Sequence, residues 1–164
     1  MKHFVVGLVV LLLMQLAIGT AADSTAVNVE AQSITIALSQ EPPNLNSLRA
    51  TDLLSFFVLG HVNEGLVRYG RRGRLVPAVA ESWQITPNSM TFTLRADARW
   101  SDGTAVVAED FVFSWRRMID PKVAAPYAST MFPILNAERV HKGELPIQAL
   151  GVRAEGNQLI VDLQ

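Results

Sequence analysis

The start of the chain limits the fold more than any other part of it. Lys2 is followed by Phe4 to Ile18, an uncharged and almost wholly apolar run, and then by the small residues Gly19, Thr20, Ala21 and Ala22. A positive start, an apolar centre and a small-residue end are the parts of a cleavable secretory leader. Cleavage after Ala21 or after Ala22 leaves small residues at both positions the peptidase reads. The apolar run falls short of the ~20 residues a membrane-spanning helix needs, and no basic flank follows it. Residues 1–22 are therefore read as a signal peptide and set aside from the fold. The chain has no cysteine, so it cannot be lipid-anchored through a cysteine after the cleavage site. The rest is expected to fold outside the cytoplasm.

What remains of the 164 residues suffices for one ordinary domain or part of a larger one. A net charge of −1 gives no electrostatic reason to expect nucleic acid or an anionic membrane surface as a partner. Of the three histidines, His3 leaves with the leader and His61 and His141 stand alone, so no metal site is expected. Three Trp and seven Phe are enough aromatic mass for a core.

Periodicity divides the mature chain into short elements. Asp23 to Gln32 is polar and reads as a flexible terminus. Ser33 to Leu38 alternates, with Ile34, Ile36 and Leu38 on one face, and reads as a strand. Thr51 or Asp52 can cap a helix that runs to about Asn63. That helix is apolar nearly all round and so should be buried on more than one side. Leu66 to Tyr69 reads as a strand, Gly70-Arg71-Arg72-Gly73 as a solvated turn, and Leu75 to Ala80 as irregular because of Pro77. Pro87-Asn88-Ser89 separates two strands in a hairpin pattern. Phe111, Trp115, Met118 and Ile119 recur at helical spacing from Ala108 to Ile119, and Asp120-Pro121 ends that helix. Weaker helical stretches cover Tyr127 to Met131 and Leu135 to His141. Two strands, Ala149 to Ala154 and Gln158 to Leu163, close the chain. The alternation runs flush to Gln164, and a continuation beyond it is expected. The fold class is mixed α/β.

No catalytic constellation emerges. Glu109 and Asp110 are adjacent on a helix, so they point about 100° apart and do not converge. They suit the first turn of a helix, where negative charge meets the dipole. There is no nucleophile elbow and no phosphate-cradling glycine loop. No cofactor is expected, and the chain is read as not an enzyme. Trp83, Trp100 and Trp115 are read as core.

Several pieces occur in a recognisable order. Asn63-Glu64-Gly65-Leu66 comes first, then Pro77 to Trp83 (P-x-x-A-E-S-W) and Thr91 to Arg95 (T-F-x-L-R). Trp100 to Thr104 (W-S-D-G-T), Ala108 to Trp115 (A-E-D-F-V-F-S-W) and Leu150 to Ala154 follow. In this order the chain strongly resembles the extracytoplasmic solute-binding proteins of peptide ABC importers, solute-binding protein family 5. Asp120-Pro121 to Ser129 looks closest to the oligopeptide branch. The resemblance implies a periplasmic-binding-protein type II-like clamp with an extra domain. Residues 23–62 would be the first part of lobe I and 63–164 most of the extra domain. The second partner of the apolar helix would then lie in sequence not present here, and this chain alone is expected to expose that helix.

The resemblance further implies a monomer that binds short peptides in the periplasm, largely through the peptide backbone, and delivers them to a membrane permease. Tyr127, in P-Y-A-S, matches a ligand-lining position. Thr51 falls where relatives carry an acidic or polar residue facing ligand. The sequence departs from the family at Leu45-Asn46-Ser47, in place of Leu-Asp-Pro, which should loosen that loop. It departs again at Val107, where Thr or Ser usually caps the next helix. Alternatives of the same class are a murein peptide, an opine or a sugar as solute. An exported hydrolase or a non-functional truncated product are alternatives of other classes.

Overall fold

The computed structural model describes residues 26–164; the leader lies outside the described residues. Contacts divide the chain after Ser39, and the two units are described separately. In the first, β1 (Val27–Asn28) pairs antiparallel with β2 (Ser33–Ile34). The Asn28 side chain accepts the Ala31 N–H at 2.8 Å and so closes the turn. The strand read from Ser33 to Leu38 shrinks to two residues. Ile34, Ile36 and Leu38 all remain 39–63% exposed, so the alternation finds no surface in this unit to pack on.

The second unit, Gln40–Gln164, opens with α1 (Leu53–Val62), capped by Asp52, whose carboxylate accepts the Ser55 N–H at 2.8 Å. The Ser55 hydroxyl and amide beside it hold the Asp52 carboxyl below its ordinary value. The burial of α1 on several sides that its composition calls for is absent, and the exposure expected of this chain without the helix's second partner is found. Ser55 is its one buried residue, while Leu53 is 87% and Val62 72% exposed. Among the described residues no second element covers those sides.

Next, β3 (Val67–Tyr69) and β4 (Leu75–Pro77) form a two-stranded ribbon across a short 3₁₀ turn at Arg71–Gly73. The segment read as irregular from Leu75 thus begins as a strand. Pro77 is tolerated because it is the last residue of a strand with one partner only.

A four-stranded antiparallel sheet carries the core. Its strands are β5 (Ala80–Thr86), β6 (Ser89–Leu94), β7 (Val152–Glu155) and β8 (Gln158–Asp162), in spatial order β5-β6-β8-β7. A bulge between Ala80 and Ser82 explains the consecutive polar pair Glu81-Ser82. The extra residue resets the alternation so that Ala80 and Trp83 share the inner face. Trp83, Phe92, Leu159 and Ala154 then sit in one row across all four strands. The β7–β8 turn places Gly156 at φ +60 in the first central position, as a two-residue hairpin loop of that kind requires.

Across β7 and β8 lies α2 (Ala108–Ile119), with the boundaries the sequence predicts. Ala108, Val112 and Ile119 are buried, and Phe111, Trp115 and Met118 pack against the same cluster. Burying such a stripe contributes on the order of 1.5–3 kcal/mol per large side chain. A short 3₁₀ turn (Ala128–Met131) and α3 (Ala137–His141) close the far end.

The start of α2 shows half of a capping box. The Asp110 carboxylate accepts the Val107 N–H at 3.0 Å, but Val107 has no oxygen to return the bond. Val107→Thr supplies it, and Val107 is 43% exposed, so nothing is displaced. The substitution is expected to stabilise the fold by about 1 kcal/mol, a rise of a few degrees in thermal midpoint followed by circular dichroism. An unchanged or lower midpoint would contradict this account of the helix start.

Candidate functional site

The two residues singled out from sequence, Thr51 and Tyr127, are both solvent-exposed and belong to the same unit. Thr51 stands at the end of a loop tightened by asparagines. The Asn44 side chain accepts the Asn46 N–H at 2.8 Å, and Asn46 accepts the Leu48 N–H at 3.0 Å. The backbone carbonyl of Asn46 takes the N–H groups of Arg49 and Ala50, each at 2.9 Å. In place of the expected Leu-Asp-Pro, Asn46 supplies the turn-closing acceptor that an Asp would. Ala50 is 1% exposed and pins the end of the loop, leaving Thr51 outside and Asp52 as the cap.

Tyr127 lies just before the 3₁₀ turn, where its carbonyl accepts both the Thr130 N–H at 3.0 Å and the Thr130 hydroxyl at 2.8 Å. Its ring is 43% exposed and meets the Phe56 ring at 5.9 Å between centroids, tilted by 50°. That contact joins the turn to the first turn of α1 and places an aromatic pair at the surface. The Arg49 guanidinium adds a long bond, 3.4 Å, to the Val123 carbonyl. The loop before α1 and the segment before Tyr127 are thus neighbours. Sequence reasoning missed Phe56 as Tyr127's partner: it is one of several apolar residues on α1, and nothing local marks which of them meets a residue 71 positions away.

The three tryptophans divide. Trp83 and Trp115 pack against the core as expected. Trp100 does not: it is 50% exposed, and its indole N–H donates to the Asp110 carboxylate at 3.1 Å. Asp110 satisfies its one donor while about half of the residue stays in solvent. The two carboxylates of α2 diverge, as helical geometry requires. Asp110 turns to Trp100 and Val107, and it lines an open groove of about 450 Å³ with Glu64, Arg95 and Phe111, whereas Glu109 lies on the other side of the helix. In that groove Arg95 and Glu64 pair at 2.8 Å. Among the described residues both histidines face a backbone carbonyl, His61 that of Phe57 at 2.7 Å and His141 that of Ile119 at 3.1 Å. Among the described residues no group of three potential ligands could hold a metal ion.

Residues 74–159 match the family described as bacterial extracellular solute-binding proteins, family 5 Middle. The periplasmic murein peptide-binding protein of Escherichia coli (strain K12) is 38% identical over 160 residues, 94% of this chain and 30% of that protein. The structure of the substrate-binding domain of an oligopeptide ABC transporter from Bacillus anthracis superposes with a TM-score of 0.75 at 45% identity, over 79% of this chain and 26% of that one. The Haemophilus influenzae oligopeptide-binding protein, solved in complex with RPPGFSPFR, gives 0.71 at 39% identity, over 76% of this chain and 25% of that one. The chain thus spans about 30% or less of the length of these relatives. With more than half of its residues inside the family match and the same mixed α/β fold as these structures, the chain belongs to the extracellular solute-binding proteins of family 5.

Proposed function

We propose that this chain is part of a periplasmic receptor that binds oligopeptides and delivers them to the membrane permease of an ABC importer. The observation that carries this reading is the agreement of relatives: proteins similar over most of this chain bind oligopeptides or murein peptides. We take residues 1–22 as its cleaved leader, 23–62 as the first part of lobe I and 63–164 as most of the extra domain. The receptor works as a monomer and performs no chemistry on its ligand. Extended peptides can be held by strand-like backbone bonds, with wet, tolerant side-chain pockets, which gives affinity without strict sequence preference.

On this reading Tyr127 contributes a flat apolar face and a hydroxyl to the ligand, held in place by Phe56, and Thr51 adds a polar contact from the loop before α1. Tyr127→Ala in the natural full-length receptor is expected to weaken peptide binding about tenfold by calorimetry, while Tyr127→Phe keeps most of it. Unchanged affinity in the alanine variant would remove Tyr127 from the site. Murein peptides are a second reading, favoured by the E. coli murein peptide-binding protein, which matches 94% of this chain. Competition between an unmodified oligopeptide and a murein tripeptide for the same receptor separates the two.

A further inference from the structure

We propose that the β3–β4 ribbon is a docking tip for a membrane surface carrying anionic phosphate headgroups. Four arginines, Arg68, Arg71, Arg72 and Arg74, fall within seven residues, and no acidic residue lies between Gly65 and Ala80. All four are exposed. Among the described residues none of them takes part in an ion pair or a side-chain hydrogen bond, whereas Arg95, Arg139 and Arg153 each hold a carboxylate. The ribbon pairs strand to strand only with itself, and its base is tied to the main sheet where the Ala80 N–H donates to the Leu66 carbonyl at 2.9 Å. A chain with net charge −1 therefore gathers four uncompensated guanidinium groups on one projection.

Solvation alone does not account for the way the tip is built. Arg72 sits at φ +64, in the left-handed region that favours Gly or Asn, and Gly73 follows at φ +68. The positive charge is kept there against the preference of the backbone. Tyr69 and Leu75 face each other across the ribbon and are 78% and 48% exposed, so an aromatic and an aliphatic side chain stand beside the arginines.

Guanidinium forks match phosphate oxygens two at a time, and a Tyr–Leu pair suits the apolar margin just beneath headgroups. An acidic polypeptide would satisfy the arginines but leaves the exposed Tyr69–Leu75 pair without a role. No helix among the described residues is long and apolar enough to cross a membrane, so the contact is with the surface. It would hold the protein close to the bilayer whatever solute it carries, and it does not rest on the ligand assigned above.

The test is co-sedimentation of the natural, full-length protein with vesicles of phosphatidylcholine alone or mixed with phosphatidylglycerol. Binding is expected only with phosphatidylglycerol, and raising the salt to about 0.5 M should abolish most of it. Each arginine near such a surface changes binding about fivefold, so changing Arg68, Arg71, Arg72 and Arg74 together to Gln should weaken it several-hundredfold, roughly. The matching Lys variant should retain most of it. Tyr69→Ser, with all arginines intact, should weaken binding severalfold at low salt, and it decides the matter if the fourfold variant fails to fold. Equal binding to both vesicle types, no binding, or full binding by the Gln and Tyr69→Ser variants overturns the proposal. Capture by poly-glutamate without vesicle binding overturns it in favour of a protein partner.

Discussion

Leu159→Ala is expected to lower the unfolding free energy by about 3–4 kcal/mol, measured by urea denaturation with the slope unchanged. Leu159 is 0% exposed and sits on β8, an inner strand of the sheet, between Phe92 on β6 and Ala154 on β7. Truncation removes a buried isopropyl group from the row that Trp83 completes, and α2 lies over β7 and β8 on the same side. Two paired neighbours hold the strand, so it cannot move in to fill the space, and the cavity adds to the lost transfer energy. A loss below about 1 kcal/mol would mean that β8 is not where the core is anchored.

Gly151→Ala is expected to cost about 2–3 kcal/mol, by contact with backbone rather than by a cavity. A Cβ at residue 151 would lie 2.7 Å from the Leu135 Cβ, 3.1 Å from the Asp162 carbonyl oxygen and 3.2 Å from that of Leu135. These oxygens are engaged: Leu135 N–H donates to Asp162 O, Gly151 N–H to Leu135 O, and Asp162 N–H to Gly151 O, at 2.8, 2.9 and 2.8 Å. The three residues are laced together at the end of the sheet, and none can retreat without breaking a bond. Gly60→Ala is the control, since nothing lies within 4 Å of its added methyl and it stands inside α1. That change should instead stabilise by up to about 1 kcal/mol. Equal effects at the two glycines would contradict the close packing at Gly151.

How much of this was legible in the sequence depended on whether the cause was local. The bounds of α2 were, because its apolar spacing, its first-turn carboxylates and Asp120-Pro121 all act within the helix. So was the β5–β6 hairpin, marked by Pro87-Asn88. Pro77 misled, because a strand's tolerance for proline depends on how many neighbours it has, and that is a property of the sheet. Trp100 was read as core, because hydrophobicity does not reveal that Asp110, ten residues on, satisfies its indole at the surface. The exposure of α1 was opposite to its composition, since an apolar helix announces a need for cover but not whether cover is present. At the candidate site, Tyr127 and Thr51 came from resemblance, and only the fold brought Phe56 to Tyr127.

The central claim, a receptor for peptides, is tested most directly by native mass spectrometry of the natural protein purified from its host's periplasm. The protein would then be denatured and the released small molecules sequenced. The account predicts a monomer carrying short, heterogeneous peptides that leave on denaturation. A protein that comes through with nothing bound, or with a single non-peptide solute, would contradict it.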